Sequence, residues 1–233
     1  MLGPLSIFKR CIVLERLDEG KKQLVLRHLE LVIKANETIN LTRIINFDEG
    51  LHLHIEDSLA GLPEMEEAPE GLYGDLGSGA GYPGIPLAVA TGRQAVLIDA
   101  RKKKMDVMAS IIEELGLKEQ IQVYAGRAEL LARSHYGEFS VLTARALSKL
   151  AVLMELVSPL LETGGMLVCY KAHIEEGEMK RAIEVQQLLG MKLHSDRSFQ
   201  LGEYDRRIVT FVKSGKPKIR LPRQEGQAQK NPL

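Results

Sequence analysis

Residues 73–86 read Tyr73-Gly74-Asp75-Leu76-Gly77-Ser78-Gly79-Ala80-Gly81-Tyr82-Pro83-Gly84-Ile85-Pro86, at the junction of a short apolar strand and a helix. Glycines at positions 77, 79 and 81 tolerate positive φ and let a ligand approach the bare backbone. Pro83 suits the first turn of a helix, because no amide donor is missed there. An acid followed by alternating glycines at such a turn is typical of a nucleotide-cofactor site.

Downstream of this turn, strand patterns alternate with helix patterns. The predicted strands are Leu72–Leu76, Ala95–Asp99, Ile121–Ala125, Ser140–Thr143, Met166–Tyr170, Lys192–Phe199 and Arg207–Lys213. The predicted helices are Ile85–Ala90, Lys102–Leu115, Leu147–Leu161 and Glu175–Leu189. This alternation predicts a Rossmann-like α/β fold with a mostly parallel, seven-stranded sheet flanked by helices. The last two strands are joined by a short link and are expected to form an antiparallel hairpin at one side.

The segments on either side of this core, residues 71–213, have a different character. Residues 1–60 carry apolar residues at spacings of three and four, which predicts a helical extension interrupted at Asn40-Leu41-Thr42 and resumed over Phe47–Leu59. The prolines between Gly61 and Gly71 predict a loop that joins extension and core. At the other end, residues 213–233 contain six basic residues and one acidic residue. The basic tail 214–233 is therefore either a solvated tail, which its composition favours, or a phosphate-binding arm.

Composition excludes several classes of protein. The 233 residues are 45% apolar, yet no apolar run approaches the ~20 residues of a membrane span, so we expect a cytoplasmic protein without membrane contact. Cys11 and Cys169 are far apart and form no CxxC pair, which indicates neither a disulfide framework nor a zinc site. Both thiols are expected to be buried.

The glycine turn fits two overlapping cofactor frames. Gly79-x-Gly81-x-x-Gly84 matches the dinucleotide fingerprint, which leaves an NAD-dependent oxidoreductase open. The frame Asp75-x-Gly77-x-Gly79-x-Gly81 adds an acid that can accept from the amino-acid part of S-adenosylmethionine but would repel a pyrophosphate. Asp99, at the end of the second strand, can accept both ribose hydroxyls, or alternatively can cap the following helix. Together the two acids favour S-adenosylmethionine.

Basic residues follow Asp99 directly. Lys102, Lys103 and Lys104 lie at a helix start, where the helix dipole disfavours cations, so phosphate contact and a solvated face both stay open. A noncatalytic RNA-binding module that retained the fold is a third alternative. The intact frame from Asp75 to Gly81 argues against it.

Separated motifs in the chain resemble the glucose-inhibited division protein B family, bacterial enzymes that methylate N7 of a guanine in 16S ribosomal RNA. The matching elements, in the family's order, are Asn40-Leu41-Thr42, His54–Leu59, Asp75–Leu87, Arg127-Ala128-Glu129, Ala144-Arg145-Ala146, Lys171, Pro222-Arg223 and Pro232-Leu233. The chain departs from the family at two places that concern the RNA face. Lys171 is followed by Ala172 and His173 instead of glycine, and the usual Lys-Arg pair is the run Lys102–Lys104.

The resemblance implies a class I methyltransferase that binds S-adenosylmethionine. Its implied cofactor-binding residues are Asp75, Gly77, Ser78, Gly79, Gly81, Tyr82, Asp99, Ala128, Glu129 and Arg145. The residues implied to position the substrate are Arg145, Lys171 and Asn40, and those implied to bind RNA are Lys102, Lys103, Lys104, Arg206 and Arg223. The implied partner is 16S rRNA, either free, in the small ribosomal subunit or in its assembly intermediate.

The expected reaction follows from the chemistry of guanine N7. Guanine N7 already carries an in-plane lone pair, so we expect direct in-line methyl transfer with neither a general base nor a metal. We also expect a monomer. His54 has either a structural role, which is the more common one for a histidine, or a contact with the substrate. Whether Arg206 or its neighbour Arg207 faces the site stays open.

Overall fold

The computed structural model describes residues 14–233, which contain a single seven-stranded sheet. The strands are β1 (Leu72–Leu76), β2 (Ala95–Asp99), β3 (Ile121–Ala125), β4 (Phe139–Arg145), β5 (Leu161–Lys171), β6 (Met191–Leu201) and β7 (Tyr204–Lys213). Their order in the sheet is β3-β2-β1-β4-β5-β7-β6. Strand β7 runs antiparallel to both of its neighbours, while the pairings among β1 to β5 are parallel. The predicted mostly parallel sheet and its terminal hairpin are confirmed.

The N-terminal region is helical, as predicted for its described part. Its elements are a 3₁₀ turn (Leu14–Arg16), α1 (Glu19–Asn36), α2 (Phe47–Gly50), a π-helical turn (Leu51–Glu56), α3 (Asp57–Leu59) and α4 (Leu62–Glu67). Asp18 caps α1 by accepting from the backbone N of Lys21, and Asn46 caps α2 in the same way. Residues 1–13 of the predicted extension, with Cys11, lie outside the described residues.

The predicted loop over residues 61–71 is wrong, because α4 occupies much of it. Within α4, Glu64 and Met65 are buried. The Nε and Nη2 atoms of Arg197 on β6 donate to the Glu64 carboxylate at 2.7 and 2.8 Å. A partner more than a hundred residues away therefore stabilises this helix, which the local prolines and glutamates concealed.

The remaining helices cover both faces of the sheet. They are α5 (Gly84–Thr91), α6 (Lys102–Glu114), α7 (Ala128–Ser134), α8 (Leu150–Val157), α9 (Glu178–Val185) and α10 (Gln227–Lys230). Helices α1, α5 and α6 contribute to one apolar core, and α7, α8 and α9 contribute to a second. Helix α8 is shorter at both ends than the predicted helix Leu147–Leu161, and Leu161 belongs to β5. Helix α7 was not predicted from the sequence.

The C-terminal residues pack onto the core, so the solvated-tail interpretation is wrong. Arg223 donates to both carboxylate oxygens of Glu155 on α8, each at 2.6 Å. The side chain of Glu155 is 3% exposed, and a buried carboxylate requires such a partner. Ala228 on α10 is buried in the apolar core that contains α8.

Within residues 14–233, no helix combines the length and apolarity needed to cross a bilayer. The same residues contain no group of three or more histidine, cysteine or acidic side chains arranged to hold a metal ion. Cys169 is buried on β5, and burial raises the pKa of its thiol to about 12.

Candidate functional site

The glycine turn between β1 and α5 is fixed to the neighbouring strand β2. Gly77, Gly79 and Gly81 have φ values of 77°, 56° and 85°, in the region that favours glycine. The backbone N of Gly77 donates to Ile98 O at 2.7 Å. Ser78 Oγ donates to Asp75 O at 2.8 Å and accepts from Ile98 N at 3.1 Å. Ser78 is therefore a buried structural residue, whose hydroxyl links the ends of β1 and β2.

Asp75 lies beneath this turn and is 1% exposed. Its two carboxylate oxygens accept from Gly84 N at 3.0 Å and Thr143 Oγ1 at 2.7 Å. Burial raises the pKa of Asp75 to about 6, although these hydrogen bonds and Arg145 act in the opposite direction. Its side chain supports the turn from below, and its contact with a cofactor stays a prediction.

The last glycine of the dinucleotide-like frame has a packing role. A Cβ on Gly84 would lie 2.4 Å from Leu97 Cδ2 and 2.7 Å from Asp75 Oδ2. Glycine is therefore needed here so that α5 can approach the sheet closely. The match to Gly79-x-Gly81-x-x-Gly84 follows from helix packing and does not by itself indicate a dinucleotide.

A cavity of about 260 Å³ opens at the carboxyl ends of β1 and β2; we name it the glycine-turn cavity. Predicted cofactor residues that line it are Gly77, Gly79, Asp99, Ala128 and Glu129. Asp99 Oδ2 accepts from Gly79 N at 3.1 Å, and its Oδ1 accepts from Arg101 N at 2.8 Å. Asp99 thus bonds the backbone at the start of α6 and also presents a carboxylate to the cavity.

One wall of the glycine-turn cavity was missed by the sequence analysis. Gln229 on α10 lines it. Glu129, predicted to border a nucleoside base, accepts from the backbone N of Gly226 at 2.7 Å. The sequence signals near this contact are the Pro222-Arg223 and Pro232-Leu233 motifs, which carry no information about what they touch.

A second cavity, of about 760 Å³, lies at the carboxyl ends of β4 and β5; we name it the cationic cavity. Its basic lining residues are Arg145, Lys149, Lys171, Arg206 and Arg207. Ala146 and Leu147 line both cavities, so the loop after β4 separates them. Ala146 has a φ of 52°, the only positive φ of a non-glycine residue within residues 14–233. Such strain in the loop between two cavities is common at functional sites.

Asp57 organises the arginines of the cationic cavity. Its Oδ2 accepts from Arg145 Nη1 at 2.8 Å, and its Oδ1 accepts from Arg206 Nε at 2.9 Å. Arg145 Nη1 also donates to Leu53 O, in the π-helical turn, at 3.1 Å. Arg206 is therefore the arginine held toward Asp57, whereas Arg207 pairs with Asp196. Asp57 belongs to the His54–Leu59 motif, but no role was predicted for it.

His54 is a buried neutral histidine beside this ion pair. Burial, and then the charge of Arg145, lower the pKa of His54 to about 3. A guanidinium only donates, so His54 Nδ1 accepts from Arg145 Nη2 at 3.3 Å. In the neutral ring Nε2 then carries the proton and donates to Thr42 Oγ1 at 3.0 Å.

Tyr82, predicted to contact the cofactor, packs between the glycine turn and the helical region. Its ring stacks on His54 with 4.3 Å between centroids, and it also contacts the His28 ring with 4.5 Å between centroids. The buried Tyr82 hydroxyl has no hydrogen-bond partner in the described part of the chain. Tyr82 is 4% exposed and lines neither cavity, so its contact with a cofactor stays a prediction.

Lys171 is held by an acid that was also missed. Lys171 Nζ donates to Glu178 Oε1 at 2.6 Å and to Ser148 O at 2.8 Å. Glu178 Oε1 accepts from Leu150 N at 2.8 Å as well, at the start of α8. The pair therefore fixes the cation at the end of β5 to the loop that separates the two cavities.

The other predicted substrate residues are scattered. Lys102 pairs with Asp106, Lys103 is exposed, and Lys104 Nζ donates to Leu41 O at 2.7 Å. The exposed Asn40 next to Leu41 lines neither cavity. Arg223 forms an ion pair with the buried Glu155. Contacts of these residues with RNA stay predictions.

Comparisons with known proteins identify the fold and the family. The chain has the Rossmann-like α/β fold of class I methyltransferases: an O-methyltransferase from Bacillus cereus, solved in complex with SAH, covers 80% of this chain and 90% of its own with a TM-score of 0.56 and 19% identity. Proteins called ribosomal RNA small subunit methyltransferase G from Streptococcus sanguinis and Streptococcus gordonii are each 34% identical, over 94% of both chains. A family model described as rRNA small subunit methyltransferase G matches residues 21–209. The resemblance noted in the sequence is therefore confirmed, and the chain belongs to the rRNA small subunit methyltransferase G (GidB) family.

Proposed function

We propose that this chain uses S-adenosylmethionine to methylate N7 of a guanine in 16S ribosomal RNA. The observation that carries the proposal is the pair of adjoining cavities, one lined by the glycine turn and Asp99 and the other by basic side chains. Family membership supports small-subunit rRNA as the substrate. A cytoplasmic, monomeric enzyme is part of the proposal.

The glycine-turn cavity fits a nucleoside cofactor. A Cβ on Gly79 would meet nothing nearer than Gly77 O at 3.8 Å, so the turn leaves open space where a ligand can approach the backbone. The partly exposed Asp99 carboxylate can accept ribose hydroxyls, and Ala128 and Glu129 would border the adenine. When bound, S-adenosylmethionine supplies an electrophilic methyl group on its sulfonium.

The residues of the cationic cavity suit a reaction that needs no general base. Guanine N7 presents its lone pair in the ring plane, so no proton has to leave before the attack. His54 is neutral, and both of its ring nitrogens have partners, in Arg145 and Thr42. The contribution of the protein is then to hold the guanine in line within a site shielded from water.

Fixed charges would hold the substrate. Arg145 and Lys171 are each anchored by a buried acid, so their remaining N–H groups can bind phosphate or guanine O6 at little entropic cost. Methylation leaves a positive charge on the guanine ring. The cations of the cavity should therefore bind phosphate or O6 and not lie directly at N7.

The proposed RNA contacts are Arg206 in the cationic cavity and Lys102, Lys103, Lys104 and Arg223 outside it, and Asn40 keeps its proposed role in substrate positioning. The guanine would be presented from an unstacked loop, because a paired and stacked base is shielded from the enzyme. Free RNA, the small subunit and its assembly intermediate are the candidate forms of the substrate.

The test is transfer of labelled methyl groups from S-adenosylmethionine to small-subunit RNA, followed by mapping of the modified base. We expect one N7-methylguanine. Methylation of another atom would contradict the N7 assignment. Thermal stabilisation by NADH and not by S-adenosylhomocysteine would contradict the cofactor.

A further inference from the structure

The C-terminal segment, residues 223–233, forms part of the glycine-turn cavity. Gln229 lines that cavity together with Asp99 and Ala128, although it lies about a hundred residues after Ala128 in the chain. It belongs to α10, the last helix of the chain. The wall formed by Gln229 therefore depends on how firmly α10 is held.

Three contacts fix this segment to the core. Gly226 N donates to Glu129 Oε1 at 2.7 Å, and Glu129 is only 4% exposed. Arg223 donates to both oxygens of Glu155, and its Nη2 also donates to Asn231 O at 2.9 Å, which closes the segment on itself. The side chain of Ala228 is buried between them. A helix of only four residues is thus held in one position by tertiary contacts.

The Gln229 side chain is free to bind a ligand. It is exposed and makes no hydrogen bond to another residue between positions 14 and 233. Its amide offers two N–H donors and an acceptor oxygen, a set that can pair with N6 and N7 of adenine. Gln227, on the same helix, lines a different cavity beside Arg133 and Arg220.

We propose that Gln229 contacts the nucleoside end of the cofactor and that residues 223–233 close this end of the glycine-turn cavity. The inference rests on the proposed function for its cofactor. Gln229 is assigned to the nucleoside end because Gly226, at the start of its helix, donates to Glu129, which is proposed to border the adenine. Glu129 is then a positioning residue for α10 as well as a neighbour of the base.

The matched variants Gln229→Ala and Gln227→Ala test the contact in the full chain by calorimetric titration with S-adenosylhomocysteine. Loss of one amide contact is expected to raise Kd about threefold to tenfold for Gln229→Ala, and Gln227→Ala should leave Kd unchanged. Neither variant should alter the Tm measured without ligand, because neither side chain packs in the core. 5′-Methylthioadenosine, which lacks the amino-acid part, should show the same ratio for Gln229→Ala.

A double variant tests the positioning role of Glu129. Glu129→Ala removes the acceptor of Gly226 N, one of the contacts that hold α10, so Gln229 should be presented to the cavity less firmly. The effect of Gln229→Ala on Kd should then be smaller in the Glu129→Ala background. Fully additive effects would overturn the positioning role.

The results separate this inference from the proposed function. If the wild-type chain binds S-adenosylhomocysteine and Gln229→Ala binds it equally well, the Gln229 contact is overturned and the proposed function stands. An effect of Gln229→Ala that is lost with 5′-methylthioadenosine would overturn the assignment to the nucleoside end. Failure of the wild-type chain to bind S-adenosylhomocysteine would overturn the proposed cofactor itself.

Discussion

The two adjoining cavities are built in different ways. The glycine-turn cavity is shaped mainly by backbone: glycines with positive φ and amide groups bonded to Ile98 and Asp99 within one β-turn-α-β unit. The cationic cavity is shaped by side-chain charges that Asp57 gathers from Arg145 and Arg206, 88 and 149 residues away. The first should therefore be damaged by an added methyl group, and the second by a removed charge.

Removal of Asp57 should have the largest effect. Asp57→Ala leaves the largely buried Arg145 and Arg206 without their shared carboxylate, so the free energy of unfolding should fall by about 3–5 kcal/mol. With the arginines no longer positioned, kcat/KM for methyl transfer should fall about 100-fold. Binding of S-adenosylhomocysteine should be unchanged, because Arg145 lines the cationic cavity and not the glycine-turn cavity, although the resemblance implied a cofactor contact for it. Denaturant unfolding, calorimetry and an assay on folded protein measure the three quantities.

The matched control is Glu175→Ala, which removes another acid that lines the cationic cavity. Glu175 pairs with Lys149 at 2.6 Å, but both side chains are 63% exposed. An exposed pair of this kind contributes little to stability. If Asp57→Ala weakened cofactor binding as strongly as it slowed methyl transfer, the two cavities would not be separate in the way described.

Asp75 is a buried carboxyl beneath the glycine turn, in a region otherwise shaped by backbone. Its effect should appear in the pH dependence of stability. Burial raises the pKa of Asp75 from its ordinary value of 3.8 to about 6, so the folded state binds more protons between these pH values. Stability therefore falls as pH rises from about 4 to 6, by up to ~3 kcal/mol from this group. Asp75→Asn should remove that fall. Denaturant unfolding of the wild-type protein and of Asp75→Asn from pH 4 to 7 measures this dependence. Parallel curves of unfolding free energy against pH would contradict the prediction.

Local patterns were sufficient to predict the sheet, the terminal hairpin and the turn at Gly77 to Gly81. Each of these is determined by periodicity or by backbone conformation within a few residues, as is the place of Asp99 at the end of β2. The same reasoning located Arg145 and Lys171 at strand ends beside one cavity. These features depend on strand order, which alternating strands and helices largely determine.

What could not be predicted depends on partners far along the chain. Helix α4 is stabilised by Arg197, and the buried acids Asp57 and Glu178 acquire their roles only when distant cations reach them. The sequence also could not indicate that Gln229 lines the glycine-turn cavity. A motif marks such residues, but only the folded chain shows what they contact.

A methyl group added to the turn should have a smaller, purely local effect. Gly79→Ala and Gly92→Ala both place alanine at positive φ, 56° and 77°, with nothing closer than 3.8 Å to the new Cβ. Each should cost about 1–2 kcal/mol of stability. Only Gly79 lines the glycine-turn cavity, so only Gly79→Ala should raise the Kd for S-adenosylhomocysteine, by about tenfold. Equal Kd values for both variants would mean that the ligand does not approach this backbone.

The smallest expected effect belongs to the exposed lysines outside both cavities. Lys103 is exposed and has no ion-pair partner in the described chain, whereas Lys102 is paired with Asp106 at 2.8 Å. Lys103→Ala should weaken binding of small-subunit RNA about threefold. If Lys103 contacts one phosphate, the slope of log K against log salt should also decrease by about 0.7.

Lys180→Ala is the control for this lysine, because Lys180 is an exposed lysine on α9, which packs against α8 instead of α6. It should leave both the affinity and the slope unchanged. Fluorescence anisotropy over a series of salt concentrations measures these quantities. A slope unaltered by Lys103→Ala would place the start of α6 outside the RNA interface, and the basic residues of the cationic cavity would then carry the phosphate contacts alone.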